Sequence, residues 1–304
     1  LKFNEIYTEL EIDITNYCNL QCPLCFRENM PSAMKNNSHM SFEDFKLTVS
    51  KFPSLKVISF GFLISEPSIH PQFLEFIKYC KKLGKSIVVS TNGNVRNKAF
   101  WAEFASLLDE TDRVFWPIDG STQDMYAKYR VKGSLSKVLG NQQVSVSTNP
   151  RIEHITQFIQ FKHNVEASLE SIKEMTRGTT FQEIACCGDC SDNDSDVEPR
   201  WDFKKYRSIK KLRVKTLNPF ECESRAEKIV FVSSEGIIGF CPSQLGDYLL
   251  NHTHHITIYD NIDAINQYIE ETYTSRASSS ICQFNCGTMA KKLKALTGLS
   301  VVTK

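Results

Sequence analysis

The chain has 304 residues, a formal net charge of +1, and 41% hydrophobic and 23% charged residues. This length can bury one large domain, or a large domain with a smaller companion, and a near-neutral chain gives no general reason to expect a nucleic-acid or membrane partner. No uninterrupted apolar run is long enough to cross a bilayer, so a soluble protein is expected.

In chain order, strand-like and helix-like segments alternate from residue 10. "LEIDIT" (10–15) reads as a strand running into a cysteine-rich loop, and Ser41 is placed to N-cap a helix over "SFEDFKLTVSKF" (41–52). "LKVISFGF" (55–62) is a strand, "HPQFLEFIKYCKKLG" (70–84) a helix closing at Gly84, and "KSIVVSTNG" (85–93) a strand ending in a turn. A helix over "FWAEFASLLDET" (100–111), a strand over "DRVFWPIDG" (112–120) and a helix over "TQDMYAKYRV" (122–131) follow. The strand "HITQFIQFKHN" (154–164), the helix "VEASLESIKEMTRG" (165–178) and the strand "TFQEIACC" (180–187) complete about six repeats. Packing and handedness rules turn such repeats into a parallel sheet wrapped by helices.

The pattern breaks after Cys190. "SDNDSDVEPR" (191–200) is acidic and polar and reads as an exposed loop. Beyond it a smaller unit is expected, with a hairpin around "KIVFVSSEGIIGFC" (228–241) and a helix over "IDAINQYIEETY" (262–273). The expected division is 1–200 and 201–304.

Eleven cysteines, odd in number, clustered, and with no visible signal peptide, fit poorly with a secreted disulfide framework. Metal or cluster ligation in a reducing compartment fits better. The chain begins at Leu1, which leaves a removed targeting peptide open. Cys80, inside the apolar pattern of its helix, reads as a small buried hydrophobe. "CNLQCPLC" places Cys18, Cys22 and Cys25 in one loop with C-x3-C-x2-C spacing. A structural zinc site needs a fourth ligand. A 4Fe-4S cluster on three thiolates instead keeps one iron open, and a position after a strand suits the C-terminal mouth of a barrel.

The motif resembles that of the radical S-adenosylmethionine (radical SAM) superfamily, with Leu24 at the usually apolar position before the last cysteine. "FGFLISEPSIHPQF" (60–73) resembles the family's GGE-type segment, "VSTNG" (89–93) its turn after the third strand, and "PIDGSTQDMYAKYRV" (117–131) the segment after the fourth. The resemblance implies a partial (β/α)6, TIM-like barrel and reductive cleavage of S-adenosylmethionine, bound at the open iron, to a 5'-deoxyadenosyl radical that takes hydrogen from a substrate. Carried over, Glu66 would accept the S-adenosylmethionine amino group, Asn92 and Asp119 would reach its ribose or methionine part, and Arg130 would pair with its carboxylate. Ser65 departs from the pattern, standing where the family usually has a second glycine. The plainer alternatives are a solvated loop for Glu66, ordinary turns at Asn92-Gly93 and Asp119-Gly120, and a surface cation for Arg130.

Cys222, Cys241, Cys282 and Cys286 resemble the twitch form of the SPASM-type extension, which implies an auxiliary 4Fe-4S cluster with no open iron; a four-thiolate zinc site is the alternative. Cys186, Cys187 and Cys190 receive no role, and His252, His254 and His255 read as a polar loop more readily than as metal ligands. The implied partners are a flavodoxin- or ferredoxin-type electron donor and an unidentified peptide or small-molecule substrate, in a cytoplasmic setting. The 17 residues before Cys18 hold no recognisable leader-peptide-binding domain, which weighs against peptide maturation. From a different class, the chain could be a non-catalytic zinc or iron-sulfur binding module.

Overall fold

The computed structural model describes residues 3–29, 35–164, 167, 169–185, 228–239 and 256–275. Six strands carry the expected repeats: β1 (Glu9–Ile12), β2 (Val57–Phe60), β3 (Ser86–Ser90), β4 (Arg113–Pro117), β5 (Glu153–Gln160) and β6 (Thr180–Ala185). All five successive pairings are parallel, so the loops that leave β1 to β5 emerge at one end of the sheet. The strand order runs from β6 at one edge through β1 and on to the later strands without closing, which gives an open partial (β/α)6 barrel.

Helices α1 (Phe42–Lys51), α2 (Phe73–Lys82), α3 (Lys98–Ser106), α4 (Gln123–Tyr129), α5 (Leu135–Thr148) and α6 (Leu169–Met175) link these strands. Ser41 caps α1 as expected: its hydroxyl accepts from the Asp44 N–H at 3.0 Å. Helix α2 buries Phe73, Phe76, Ile77 and Cys80, the i, i+3, i+4, i+7 stripe of a core-facing helix, and Cys80 is indeed a packed hydrophobe. After α2 the chain turns at Gly84, whose φ of +66° an L side chain resists. The core between sheet and helices is strongly aromatic, with Phe45 against Phe76 and Trp101 against Trp116 at centroid distances of 4.7 and 5.0 Å.

Sequence periodicity gave no helix over 135–148, yet α5 is among the longest in the fold. Its last turns, Val144 to Thr148, alternate β-branched and small polar residues in a strand-like manner, and Gly140 weakens the helix further. Tertiary bonds decide the outcome. Asn141 Nδ2 donates to the Gly93 carbonyl (2.9 Å), and Gln142 Nε2 donates to Thr156 Oγ1 (2.9 Å).

The expected hairpin around residues 228–241 forms as β7 (Ile229–Val232) and β8 (Ile237–Gly239), turning at Gly236 with φ +78°. Strand β7 pairs in parallel with β1, in register Leu10 to Val230 and Ile12 to Val232, so the hairpin continues the main sheet. A short strand, β9 (Ile256–Thr257), adds to β8, and α7 (Ile262–Ser275) follows, burying Ile265 and Ile269. Among the described residues no helix is long and apolar enough to cross a membrane. At the end of the sheet opposite the β1–β5 exit loops, buried Asp112 accepts from the Ile87 N–H (2.6 Å) and pairs with Lys81 (2.8 Å), joining β3, β4 and α2.

Candidate functional site

Cys18, Cys22 and Cys25 occupy the loop that leaves β1, at the end of the sheet where the strands' C-termini emerge. The loop is held by its own backbone and by one neighbour: the Cys25 N–H donates to the Cys22 carbonyl (3.0 Å), and the Gln21 N–H to the Val131 carbonyl (3.2 Å) beyond α4. The sulfurs are packed in an apolar collar of Leu20, Leu24, Ile159, Phe161 and Tyr129. Leu24 packs, partly buried, against this same group of side chains.

Two side chains point donors at the thiols. Arg130 Nη1 lies 3.8 Å from Cys22 Sγ, and Asn92 Nδ2 lies 3.7 Å from Cys18 Sγ and 3.0 Å from Asn19 Oδ1. Burial pushes the Cys18 thiol up to about 12, with the nearby Glu66 adding to it, and the Cys22 thiol up to about 11 against the pull of Arg130. Burial raises Cys25 as well. Thiolates here need a cation to hold them, and a coordinating metal deprotonates a thiol outright. Among the described residues no three His, Cys, Asp or Glu side chains converge as a single ion would require. The thiolates of a 4Fe-4S cluster each take a different iron and stand further apart than ligands of one ion. Three thiols on one loop, in a dry collar with N–H donors aimed at two of the sulfurs, fit such a cluster.

Glu66 follows β2 and is 1% exposed, so the solvated-loop alternative does not hold. Its Oε1 accepts from the Thr91 hydroxyl (2.7 Å) and from the Ser68 N–H (3.2 Å), while Oε2 accepts from the Asn92 N–H (2.6 Å). Burial still holds its pKa above the ordinary carboxylate value, although each of these bonds works the other way. Asp119, after β4, is fully buried; its Oδ2 accepts from Arg130 Nε (2.6 Å) and its Oδ1 from the Ile159 N–H (2.8 Å). The Arg130 side chain is 12% exposed and its guanidinium lies 4.8 Å from the Tyr129 ring centroid, so it is not a surface cation.

The structure thus gathers Cys18, Cys22, Cys25, Leu24, Asn92, Asp119 and Arg130 into one site, with Glu66 directly behind Asn92. Cys222, Cys241, Cys282 and Cys286 lie outside the described residues, as do Cys186, Cys187, Cys190 and His252, His254 and His255.

Sequence reasoning missed Asp13, one residue past β1 and 2% exposed. It accepts from Ser65 Oγ (2.6 Å) and from the Ile64 N–H (3.1 Å), and burial lifts it to about 7. An Asp at a strand end usually reads as solvated, so its only sequence signal was Ser65, the hydroxyl standing where the family pattern has glycine. Arg27 was missed too; it is 6% exposed with a buried Nη1.

The family model of the radical SAM superfamily matches residues 12–141. A tungsten-containing aldehyde ferredoxin oxidoreductase cofactor-modifying protein of Pyrococcus furiosus is 34% identical over 110 residues, 36% of this chain and 30% of that protein. The antilisterial bacteriocin subtilosin biosynthesis protein AlbA of Bacillus subtilis is 31% identical over 86 residues, 28% of this chain and 18% of that protein. The matched stretches therefore span less than a third of either relative. Streptococcus suis SuiB bound to S-adenosylmethionine superposes with a TM-score of 0.65 at 14% identity, covering 91% of this chain and 69% of SuiB. The structure of SuiB bound to its precursor peptide SuiA gives 0.63 at 12% identity, over 91% of this chain and 68% of that one.

Proposed function

We propose that this chain, which carries a radical SAM superfamily domain at residues 12–141, is an enzyme that cleaves S-adenosylmethionine reductively and modifies a peptide or small-molecule substrate by hydrogen abstraction. The observation that carries the reading is the three-thiol loop after β1, set in its apolar collar beneath Asn92 and Arg130. When bound, the cluster and S-adenosylmethionine together supply one electron and a 5'-deoxyadenosyl radical able to take a hydrogen atom from carbon.

The chain's own residues bind, orient and exclude water. Cys18, Cys22 and Cys25 would hold the cluster, which would bind S-adenosylmethionine at the iron that they leave free. Glu66, behind Asn92, would accept from the amino group, and Asp119 and Asn92 would face the rest of the molecule. The collar of Leu20, Leu24, Tyr129 and Phe161 keeps water from the sulfurs. Cys222, Cys241, Cys282 and Cys286 would hold an auxiliary 4Fe-4S cluster whose complete ligation suits electron transfer, in a twitch-like unit within 201–304. An oxygen-sensitive cluster of this kind suits a reducing, cytoplasmic setting with a flavodoxin- or ferredoxin-type donor.

A peptide substrate is the favoured class. AlbA is named for the biosynthesis of a bacteriocin, and the neighbouring fold of SuiB has been crystallised with a precursor peptide. The test is the formation of 5'-deoxyadenosine and methionine by anaerobically reconstituted, dithionite-reduced protein. Production that is lost when Cys18, Cys22 and Cys25 are all changed to alanine supports the reading, and its absence from cluster-loaded wild type contradicts it. A peptide encoded beside this gene should gain a mass change in the same assay. If only small molecules are turned over, the peptide class is wrong while the chemistry stands.

A further inference from the structure

Arg130 is committed to the cysteine loop from several directions. Asp119 fixes Nε at 2.6 Å, which leaves Nη1 directed at Cys22 Sγ, and the guanidinium rests over the Tyr129 ring. Its backbone is equally constrained. It ends α4, its N–H donates to the Tyr126 carbonyl, and its carbonyl accepts from the Gly133 N–H at 2.7 Å. A Cβ at Gly133 would stand 2.7 Å from that same carbonyl, so only glycine closes this turn. The adjacent Val131 carbonyl accepts from the Gln21 N–H, between Cys18 and Cys22, and ties the chain after α4 to the cysteine loop. Asn92 stands in the same relation to Cys18, fixed by its backbone bond to Glu66.

We infer that Arg130, clamped by Asp119, donates a charge-assisted hydrogen bond to the Cys22 thiolate in the loaded centre and thereby sets the cluster's reduction potential, with Asn92 acting in the same sense at Cys18. The inference rests on the radical SAM reading. It assigns Arg130 to the cluster rather than to the S-adenosylmethionine carboxylate, as the family resemblance had implied. The physical ground is that N–H donors and a fixed positive charge at a cluster sulfur favour the reduced, more negative state and raise its potential. Because Asp119 holds the guanidinium in place beforehand, no reorganisation is needed when the electron arrives. Arg130 acts here as a positioning and tuning residue, through sulfur rather than on substrate.

The test is an EPR-monitored redox titration of reconstituted wild type and Arg130→Gln, with the dissociation constant of S-adenosylmethionine measured alongside. The expected result is a lower potential in the variant by about 59 mV, a tenfold change in the ratio of reduced to oxidised cluster, with S-adenosylmethionine affinity changed less than about threefold, well short of the tenfold that 1.4 kcal/mol represents. An unchanged potential overturns the inference, whatever happens to the affinity. If Arg130→Gln fails to assemble, wild type grown with isotope-labelled arginine supplies the second measurement. Hyperfine coupling of labelled nitrogen to the reduced cluster supports the hydrogen bond, and its absence overturns it. A wild type that binds no three-cysteine cluster sinks the functional reading itself, an outcome separate from a cluster indifferent to Arg130.

Discussion

The backbone N–H of Asn92 is bonded to Oε2 of Glu66 at 2.6 Å, so the carboxylate after β2 holds in place the amide that reaches Cys18 after β1. Glu66 therefore has a structural task whether or not it meets an amino group, and the two tasks can be separated.

Glu66→Gln replaces one buried carboxylate oxygen by an NH2 group and sets a donor against at least one of the N–H and O–H groups of Ser68, Thr91 and Asn92. The loss of stability should be about 1–3 kcal/mol, seen in denaturant melts of metal-free protein. If metal-free stability is untouched, the bond to Asn92 is not holding the loop.

Asp13 predicts a pH signature. Its folded pKa is raised to about 7 from 3.8, so the folded chain binds more protons than the unfolded chain between these values. Stability then falls as pH rises through that window, by up to roughly 4 kcal/mol at about 1.4 kcal/mol per unit. Asp13→Asn should flatten this dependence, gaining on wild type between pH 5 and pH 8 in urea melts. Parallel curves for the two proteins would show that Asp13 is not the group responsible.

Gly61 sits at φ +80°, and a Cβ there would meet the Ser90 carbonyl at 2.1 Å. Gly61→Ala combines a strained dihedral with a backbone clash and should cost upwards of about 2 kcal/mol, because β2 and β3 must separate where the Glu66 loop begins. Thermal denaturation checks it, and a wild-type midpoint would show that the loop yields freely.

Asp112 lies at the end of the sheet away from the cysteines, so its removal tests whether fold and site are separable. Asp112→Ala leaves the Ile87 and Asp109 N–H groups without their acceptor while Lys81 keeps Asp109 at 2.7 Å, and an unsatisfied buried donor costs about 1–3 kcal/mol. Iron content and cluster EPR spectrum of the surviving folded protein should match wild type. An altered spectrum would mean that the two ends of the sheet are coupled.

Much of this was legible in the sequence because the signals were local. Ser41 announced a helix start, Phe73 to Cys80 a buried helical face, and "LEIDIT" a strand running into the loop of Cys18, Cys22 and Cys25. What was not legible depended on partners distant in sequence. Helix α5 takes Asn141 and Gln142 to Gly93 and Thr156, and "VSVST" on its own alternates like a strand. Nothing in Ile229 to Val232 specifies β1 as its neighbour. Asp119 and Arg130 were singled out separately, but only the turn after α4 reveals that one holds the other against Cys22.

The proposed chemistry stands on Cys18, Cys22 and Cys25 carrying a cluster with one iron open to S-adenosylmethionine. The most direct measurement is EPR of the anaerobically reconstituted, dithionite-reduced protein with and without S-adenosylmethionine, in wild type and in the triple alanine variant at these positions. The expected result is a 4Fe-4S signal that shifts on adding S-adenosylmethionine in wild type and no such response in the variant. A wild type that takes up zinc in place of iron, or whose cluster signal ignores S-adenosylmethionine, would contradict it and leave a metal-binding module without turnover.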